Sequence, residues 1–345
     1  MEWDLRTIAE KVGGKLKGDG KRLVRGIASP GFPEKDKLVV AWEKKALSLV
    51  PEDVPLAAPK GWVEEGRDGI ELDDPRSVFP RLLALFETQR LYPRGIHGMA
   101  SVSPEASVDP ESWIGPFCVV EAGASIGKGA VLKAQVFVGK DAVIGEGTVL
   151  EPMVSIMDGT VVGKGCLIHA GAVLGCDGFG FNRGPKGETI KVPQIGRVIL
   201  EDEVEIGACT TIDRATVGET RIGARTKTDN HVHVGHNSRT GSDCLLVAYT
   251  GIAGSSILGS RVTMAARSGT ADHVSVGDGA VVAGCGGATK DVEPGAVVSG
   301  FPARDHREEM KIQAVLRRLP ELAEKLRDMG NRLKALEEKA ERAHE

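Results

Sequence analysis

The chain reads as a mainly β protein: a left-handed parallel β-helix, preceded by a small α/β domain and followed by α-helices. Three observations carry that expectation. Every sixth residue from Ile96 through Val102, Val108 and Ile114 to Ile168 and Leu174 is a branched aliphatic. The residue after each is often Gly, and the fifth position of each six is usually small. A period of six is neither the 3.6 of a helix nor the 2 of a plain strand, and it marks a hexapeptide solenoid. Each six builds one short strand and its corner, with the aliphatic pointing inward. Three sixes close a triangular coil, and coils stack at about 4.8 Å. The 45 glycines and the low aromatic content of 4% fit a narrow aliphatic interior with permissive corners.

The totals bound the rest. A chain of 345 residues holds two or three domains. A net charge of −4 argues against general nucleic-acid affinity. No apolar run reaches the roughly 18 residues of a membrane span, and the start MEWDLRTIAEKVGG lacks the layout of a signal peptide. A cytoplasmic protein is expected. None of the six cysteines forms a CxxC pair, and Cys118, Cys166 and Cys244 fall on the small fifth position, where a thiol serves as a core residue.

Residues 1–95 do not repeat and form the α/β domain. Leu5 to Val12 is expected to be a helix with Asp4 as N-cap. Leu38–Ala41 and Leu47–Val50 look like strands, and Pro75–Leu91 like a second helix with Val78, Leu82, Leu85 and Phe86 on one side. The β-helix is expected over 96–302. Its repeat stops after Gly175 for about 20 residues, CDGFGFNRGPKGETIKVPQ, which a solenoid tolerates only as an external loop. The sixes resume at Ile206 and Ile212, with a four-residue insertion around Gly218–Arg221. The extension 303–345 carries an apolar stripe from Ile312 through Leu319 and Leu326 to Leu336, with Pro320 and Gly330 as expected breaks. An isolated amphipathic helix cannot bury such a stripe, so it packs on its own solenoid or on neighbouring copies.

Four histidines cluster: His231, His233, His236 and, two coils on, His273. His231 and His233 alternate as on one strand face; His236 is third in its six, at a corner. No metal ligand set is expected, and proton transfer is the better use of His236. Asp229, seven residues earlier, is a candidate carboxylate to orient it. Gly254 stacks one coil beyond His236, and its amide is a candidate oxyanion donor.

These features resemble the UDP-3-O-acylglucosamine N-acyltransferase family of lipid A synthesis. The stretches that carry the resemblance are CDGFGF (176–181), VPQIGRVIL (192–200), EIGACTTIDR (205–214), TDNHVHVGHN (228–237), GIAGSS (251–256) and SGFPAR (299–304). The order of domains matches as well. The resemblance implies a homotrimer with sites between adjacent solenoids. It implies transfer of a 3-hydroxyacyl group from acyl carrier protein to the 2-amine of UDP-3-O-acylglucosamine, with no cofactor or metal beyond the carrier's phosphopantetheine thioester. His236 then resembles the general base, Asp229 its partner, Gly254 the oxyanion donor and His273 a nucleotide-sugar contact. Asp177, Phe179, Phe181 and Gln194, in or just after the excursion, are further substrate-binding candidates.

Two departures from the family pattern stand out. Where the family holds uracil between aromatics, this chain has VVAWEKKA (39–46), leaving Trp42 as the candidate for stacking. Asp272 stands before His273 where Gly is usual. In AGCGGATK (283–290), Gly286 and Gly287 replace any bulky stopper and are candidates for an open acyl groove. The cations Arg304, Arg307, Lys311, Arg317 and Arg318 are candidates for docking the acidic carrier. The alternatives are a nucleotide-sugar N-acetyltransferase using acetyl-CoA, and a non-catalytic or carbonic anhydrase-like hexapeptide protein.

Overall fold

The computed structural model describes residues 2–88, 91–300 and 306–344, with the side chains of 306–309, 338 and 340–344 left out. It divides into two compact units, Met1–Leu91 and Tyr92–Glu345. In the first, strands Lys15–Lys17, Gly69–Leu72, Leu56–Pro59, Leu38–Val40 and Ile27–Ala28 lie in that spatial order, with only the first pair antiparallel. Helix α1 (Leu5–Val12) starts where Asp4 accepts a hydrogen bond from the Thr7 amide at 2.8 Å, and ends at Gly13 with φ of 72°. It buries Leu5 and Ile8 against Leu38, Ile70 and Leu82. Two expectations fail here. Leu47–Val50 is not a strand, because the helix formers before it close a single turn, α2 (Lys44–Leu47), and Pro51 follows the turn. Helix α3 (Pro75–Ala84) stops well short of Leu91 and carries Pro80 inside it.

The second unit is the left-handed β-helix. Three parallel sheets of nine, eleven and ten strands run along it, nearly all of them two residues long. Residues one coil apart pair in register, as Trp113 with Val131 and Val131 with Val149. The inward aliphatics and the small fifth residues share one continuous core that includes Ile114, Cys118, Leu150, Cys166, Val234 and Cys244. The residue before that small one takes the left-handed backbone at corner after corner, by Gly where it can (Gly147, Gly159) and otherwise by side chains such as Phe117, His231, Asn237, Tyr249 and His273. The two interruptions appear as register jumps. Leu167 pairs with Glu205 across the long excursion, and Glu205 with Lys227 across the short one.

The last paired strand is Val297–Val298. Among the described residues two helices follow the solenoid, α4 (His306–Leu316) and α5 (Leu319–His344). The expected break at Pro320 falls at the boundary between them: Pro320 sits in the first turn of α5, where its missing N–H costs nothing. Gly330, expected to divide the helix, lies inside α5 without interrupting it. Val315, Leu316, Leu319, Leu326, Met329, Leu333 and Leu336 stay exposed along the helices of the single chain.

Candidate active site

Both interruptions of the repeat converge on His236. The strand Val173–Asp177 overruns its six and pairs with Thr211–Arg214, with a register shift at Gly175, whose φ is 93°. A β-carbon on Gly175 would strike Thr160 Oγ1 at 2.5 Å. The excursion then turns out into a hairpin, Phe181–Arg183 against Thr189–Lys191. At its base Gly178 lies against the imidazole of His236, so close that a β-carbon there would fall 2.6 Å from His236 Cβ and 3.0 Å from Cγ. The tip of the ring meets Gly254, where a β-carbon would fall 2.8 Å from both Cε1 and Nε2. The imidazole thus occupies a slot that exists because two residues from different coils lack side chains.

The four-residue insertion holds the ring's other end. Asn237 Oδ1 lies 3.2 Å from His236 Nδ1 and accepts the Thr216 amide at 3.0 Å. Asn237 Nδ2 donates to Val217 O, and the Asn237 amide to Thr220 Oγ1. The insertion in turn pairs with the returning excursion, Gly196 N to Ala215 O at 2.9 Å.

The Gly254 amide is the second chemical feature. At several other coils the amide at the equivalent position of the six is capped by a side chain from the coil beyond. Asp158 caps Lys140 at 3.1 Å, Asp202 caps Lys164 at 2.8 Å and Asp278 caps Ser260 at 2.9 Å. Asp272 occupies the equivalent place above Gly254 but does not reach back, and the Gly254 N–H has no acceptor among the described residues. An unfilled donor beside an imidazole can stabilise a developing oxyanion.

A buried carboxylate lies behind the slot. Asp213 accepts a hydrogen bond from the Cys176 thiol at 3.2 Å, and its other oxygen is 3.7 Å from His233 Nε2. Burial raises its pKa; the thiol and the positive potential of His233 and His236 pull the other way without cancelling that effect. Burial, followed by the Asp213 carboxylate, pushes the Cys176 thiol up to about 12. His233 is fixed from its other nitrogen, Nδ1, by Thr211 Oγ1 at 2.8 Å.

A hexapeptide model, Bacterial transferase hexapeptide (six repeats), matches residues 141–176. Over 98% of its length the chain is 40% identical to UDP-3-O-acylglucosamine N-acyltransferase 1 of Gloeobacter violaceus, covering 97% of that protein. Over 95% of its length it is 31% identical to the UDP-3-O-acylglucosamine N-acyltransferase of Coxiella burnetii, again covering 97%. The chain belongs to the UDP-3-O-acylglucosamine N-acyltransferase family. It is an acyltransferase. A crystal structure of Arabidopsis UDP-N-acetylglucosamine acyltransferase, 22% identical, superposes with a TM-score of 0.50 over 59% of this chain and 71% of that one, and shares the fold.

In this member of the N-acyltransferase family the remaining candidates fall in several places. Asp229 does not meet His236 within the chain. Its oxygens accept from the amides of Asn230 at 2.7 Å and Ala248 at 3.2 Å, because it sits at the preceding corner of the coil. Asn237 takes the position expected for it. His231 does not share a face with His233; it is a left-handed corner residue and stacks on Tyr249, ring centroids 5.1 Å apart. His273 lies at the corner one coil past Gly254 and donates its amide to Gly254 O at 3.2 Å. Gln194 is buried and spends both ends of its amide within the excursion's base, on Val192 O and Thr216 Oγ1. Asp177 pairs with Lys191 at 2.6 Å across the hairpin. Phe179 and Phe181 pack edge-on, centroids 5.0 Å apart, on its open side, with Phe179 84% exposed. In the first unit Trp42 packs edge-on against Phe79 at 5.3 Å and is partly exposed.

Gly286 and Gly287 separate cleanly. Gly286 is buried at the small inward position, where a β-carbon would meet Ala283 O and Val282 Cγ1, so it is not a groove residue. Gly287 faces outward and pairs with Gly269, which pairs with Gly251, which pairs with His233. The sheet face beyond His233 is therefore free of side chains for three coils. Of the candidate docking cations, Lys311, Arg317 and Arg318 are exposed around the α4–α5 junction. Arg304 and the side chain of Arg307 lie outside the described residues. The residues that sequence reasoning missed are Asp213, Asn237 and Gly178. All three lie inside quoted motifs, IDR, GHN and CDGFGF, and their partners are distant in sequence.

Proposed function

We propose that this chain moves a 3-hydroxyacyl group from the thioester of acyl carrier protein to the 2-amine of UDP-3-O-acylglucosamine. The observation that carries the reading is the slot: His236 between Gly178 and Gly254, with the Gly254 amide unfilled beside it. The names of the full-length relatives supply the substrate. The amine attacks the thioester carbonyl while an imidazole nitrogen of His236 takes its proton. The carbonyl oxygen, now an oxyanion, accepts a hydrogen bond from the Gly254 N–H. The intermediate collapses by breaking the C–S bond, and the protonated His236 returns the proton to the pantetheine sulfur. The amide forms and the thiol leaves; no further reactant is consumed. Asn237 holds the ring in the slot, and the buried Asp213 favours positive charge on it.

The side-chain-free face from Gly251 to Gly287 suits the acyl arm. Lys311, Arg317 and Arg318 suit the acidic carrier. The exposed stripe of α4 and α5 suits contact with neighbouring subunits in a homotrimer, the assembly in which the groove acquires its second wall. The test offers the purified protein a carrier loaded with 3-hydroxyacyl chains together with UDP-3-O-acylglucosamine, and weighs the product. The diacyl product is expected, and His236→Ala should lower kcat by at least about 10²-fold while the protein stays folded. Absence of product with the wild type, or near-normal turnover in the variant, rejects the reading.

A further inference from the structure

On the far side of the excursion's base from Gly254, a cavity of about 530 Å³ opens beside the same corner line as His236. Three cations line it: Lys140, Arg197 and Arg214. Arg214 follows Asp213 directly and pairs in register with Asp177, the neighbour of Gly178. Its guanidinium reaches across the excursion's base to the carbonyl of Asp158, and its Nε is buried with no hydrogen-bond partner. Neither Lys140 nor Arg197 has a carboxylate within 4.0 Å among the described residues. Two acids, Asp141 and Asp158, also line the cavity, but Asp158 Oδ1 is committed to the Lys140 amide. Ile195 and Val217, 76% and 67% exposed, form an apolar rim.

We propose that this cavity is a phosphoryl-anion site of the reaction. Two guanidiniums and an ammonium outnumber the two carboxylates of the lining, and their donors match the geometry and charge of phosphate oxygens. The volume falls in the range of small-ligand sites, about 300–1,000 Å³. The inference rests on the nucleotide-sugar and carrier reading above, in which both substrates bring a phosphate: the diphosphate of the nucleotide and the phosphodiester of phosphopantetheine. The arrangement around His236 favours the diphosphate. On its Gly254 side the surface is bare glycine, suited to an acyl arm; the cavity with Lys140, Arg197 and Arg214 lies on its Gly178 side.

The test measures binding to the full-length protein by calorimetry with four probes: UDP, uridine, 4′-phosphopantetheine and pantetheine. The variants are Lys140→Gln and Arg197→Gln, with the charge-keeping Arg214→Lys in case loss of that side chain unfolds the excursion's base. Each lost cation should weaken UDP about tenfold and leave uridine unchanged, as expected for a charge-assisted hydrogen bond. In turnover the KM for the nucleotide sugar should rise by a similar factor with kcat retained. If 4′-phosphopantetheine weakens instead and pantetheine does not, the phosphoryl site stands and belongs to the donor. Unchanged affinity for both phosphate-bearing probes overturns the site. That result is distinct from failure of the proposed activity, because the binding measurements need no turnover, and a wild type that makes no product leaves them readable.

Discussion

Gly254→Ala probes the slot most directly. The glycine's φ lies outside the left-handed region, so alanine fits the backbone. The added β-carbon, however, would lie 2.8 Å from His236 Cε1 and Nε2, where ordinary contacts begin at 3.4 Å. The ring must retreat by about 0.6 Å to relieve even the tightest contact. Any retreat from the new β-carbon carries the tip of the ring away from the Gly254 amide. A misplacement on the order of 1 Å costs about 10²-fold in rate, so a loss of roughly 10- to 10²-fold in kcat is expected. The amide itself survives the change, and so does the coil. Steady-state kinetics with loaded carrier and nucleotide sugar should show the loss in kcat, with the melting temperature held. Gly98→Ala is the control: nothing lies within 4 Å of its β-carbon, and its kcat should match the wild type. A Gly254→Ala protein with wild-type kcat refutes the slot as the reason for glycine there.

Asp213→Asn tests the buried carboxylate. Burial raises the folded-state pKa above that of the unfolded chain, so the ionised form costs stability, and the folded protein is favoured below the unfolded pKa and loses that advantage as pH rises through the folded one. The variant should therefore melt higher than the wild type at neutral pH, with the gap closing on acidification, and lose activity through weaker support of protonated His236; a lower melting temperature at neutral pH contradicts the assignment. Gly287→Met should place a side chain in the open face and shift selectivity towards shorter acyl chains, since each methylene that loses dry contact forfeits about 0.8 kcal/mol; competition among carriers of graded chain length reads it out, and an unmoved profile closes the open-groove reading. Arg317→Glu with Arg318→Glu should raise the KM for the carrier, most at low ionic strength; an unchanged KM there moves the docking surface elsewhere.

The solenoid was legible because its signal is local and repeated: the inward aliphatics and the small fifth residues are the same residues in sequence and in core. The first unit was less so. Leu47–Val50 looks like a strand by composition, and only the helix formers before it and Pro51 after it decide otherwise. His236 and Gly254 were legible through the one-coil step, which converts sequence distance into contact. Asp229 misled for the opposite reason, since seven residues span a corner and the side chain finds amides closer at hand than the imidazole. Asp213 and Gly178 reach His233 and His236 through the two interruptions, where the step changes and no fixed spacing applies. The breaks in the pattern were thus the sign of the site, although they concealed its membership.

The bare face that runs from Gly251 through Gly269 to Gly287 has a consequence for how such an enzyme can be retuned. Its positions are spaced by whole coils, at about 4.8 Å, and none lies in between on the same row. A side chain restored at one glycine shortens the usable length by a fixed increment, and one restored at the next shortens it by another. Selectivity built this way is graduated like the marks on a measuring stick, several methylenes to a mark. Finer discrimination, by one methylene, has to come from the shape of whichever residue stands at a mark, or from the wall that a neighbouring subunit contributes.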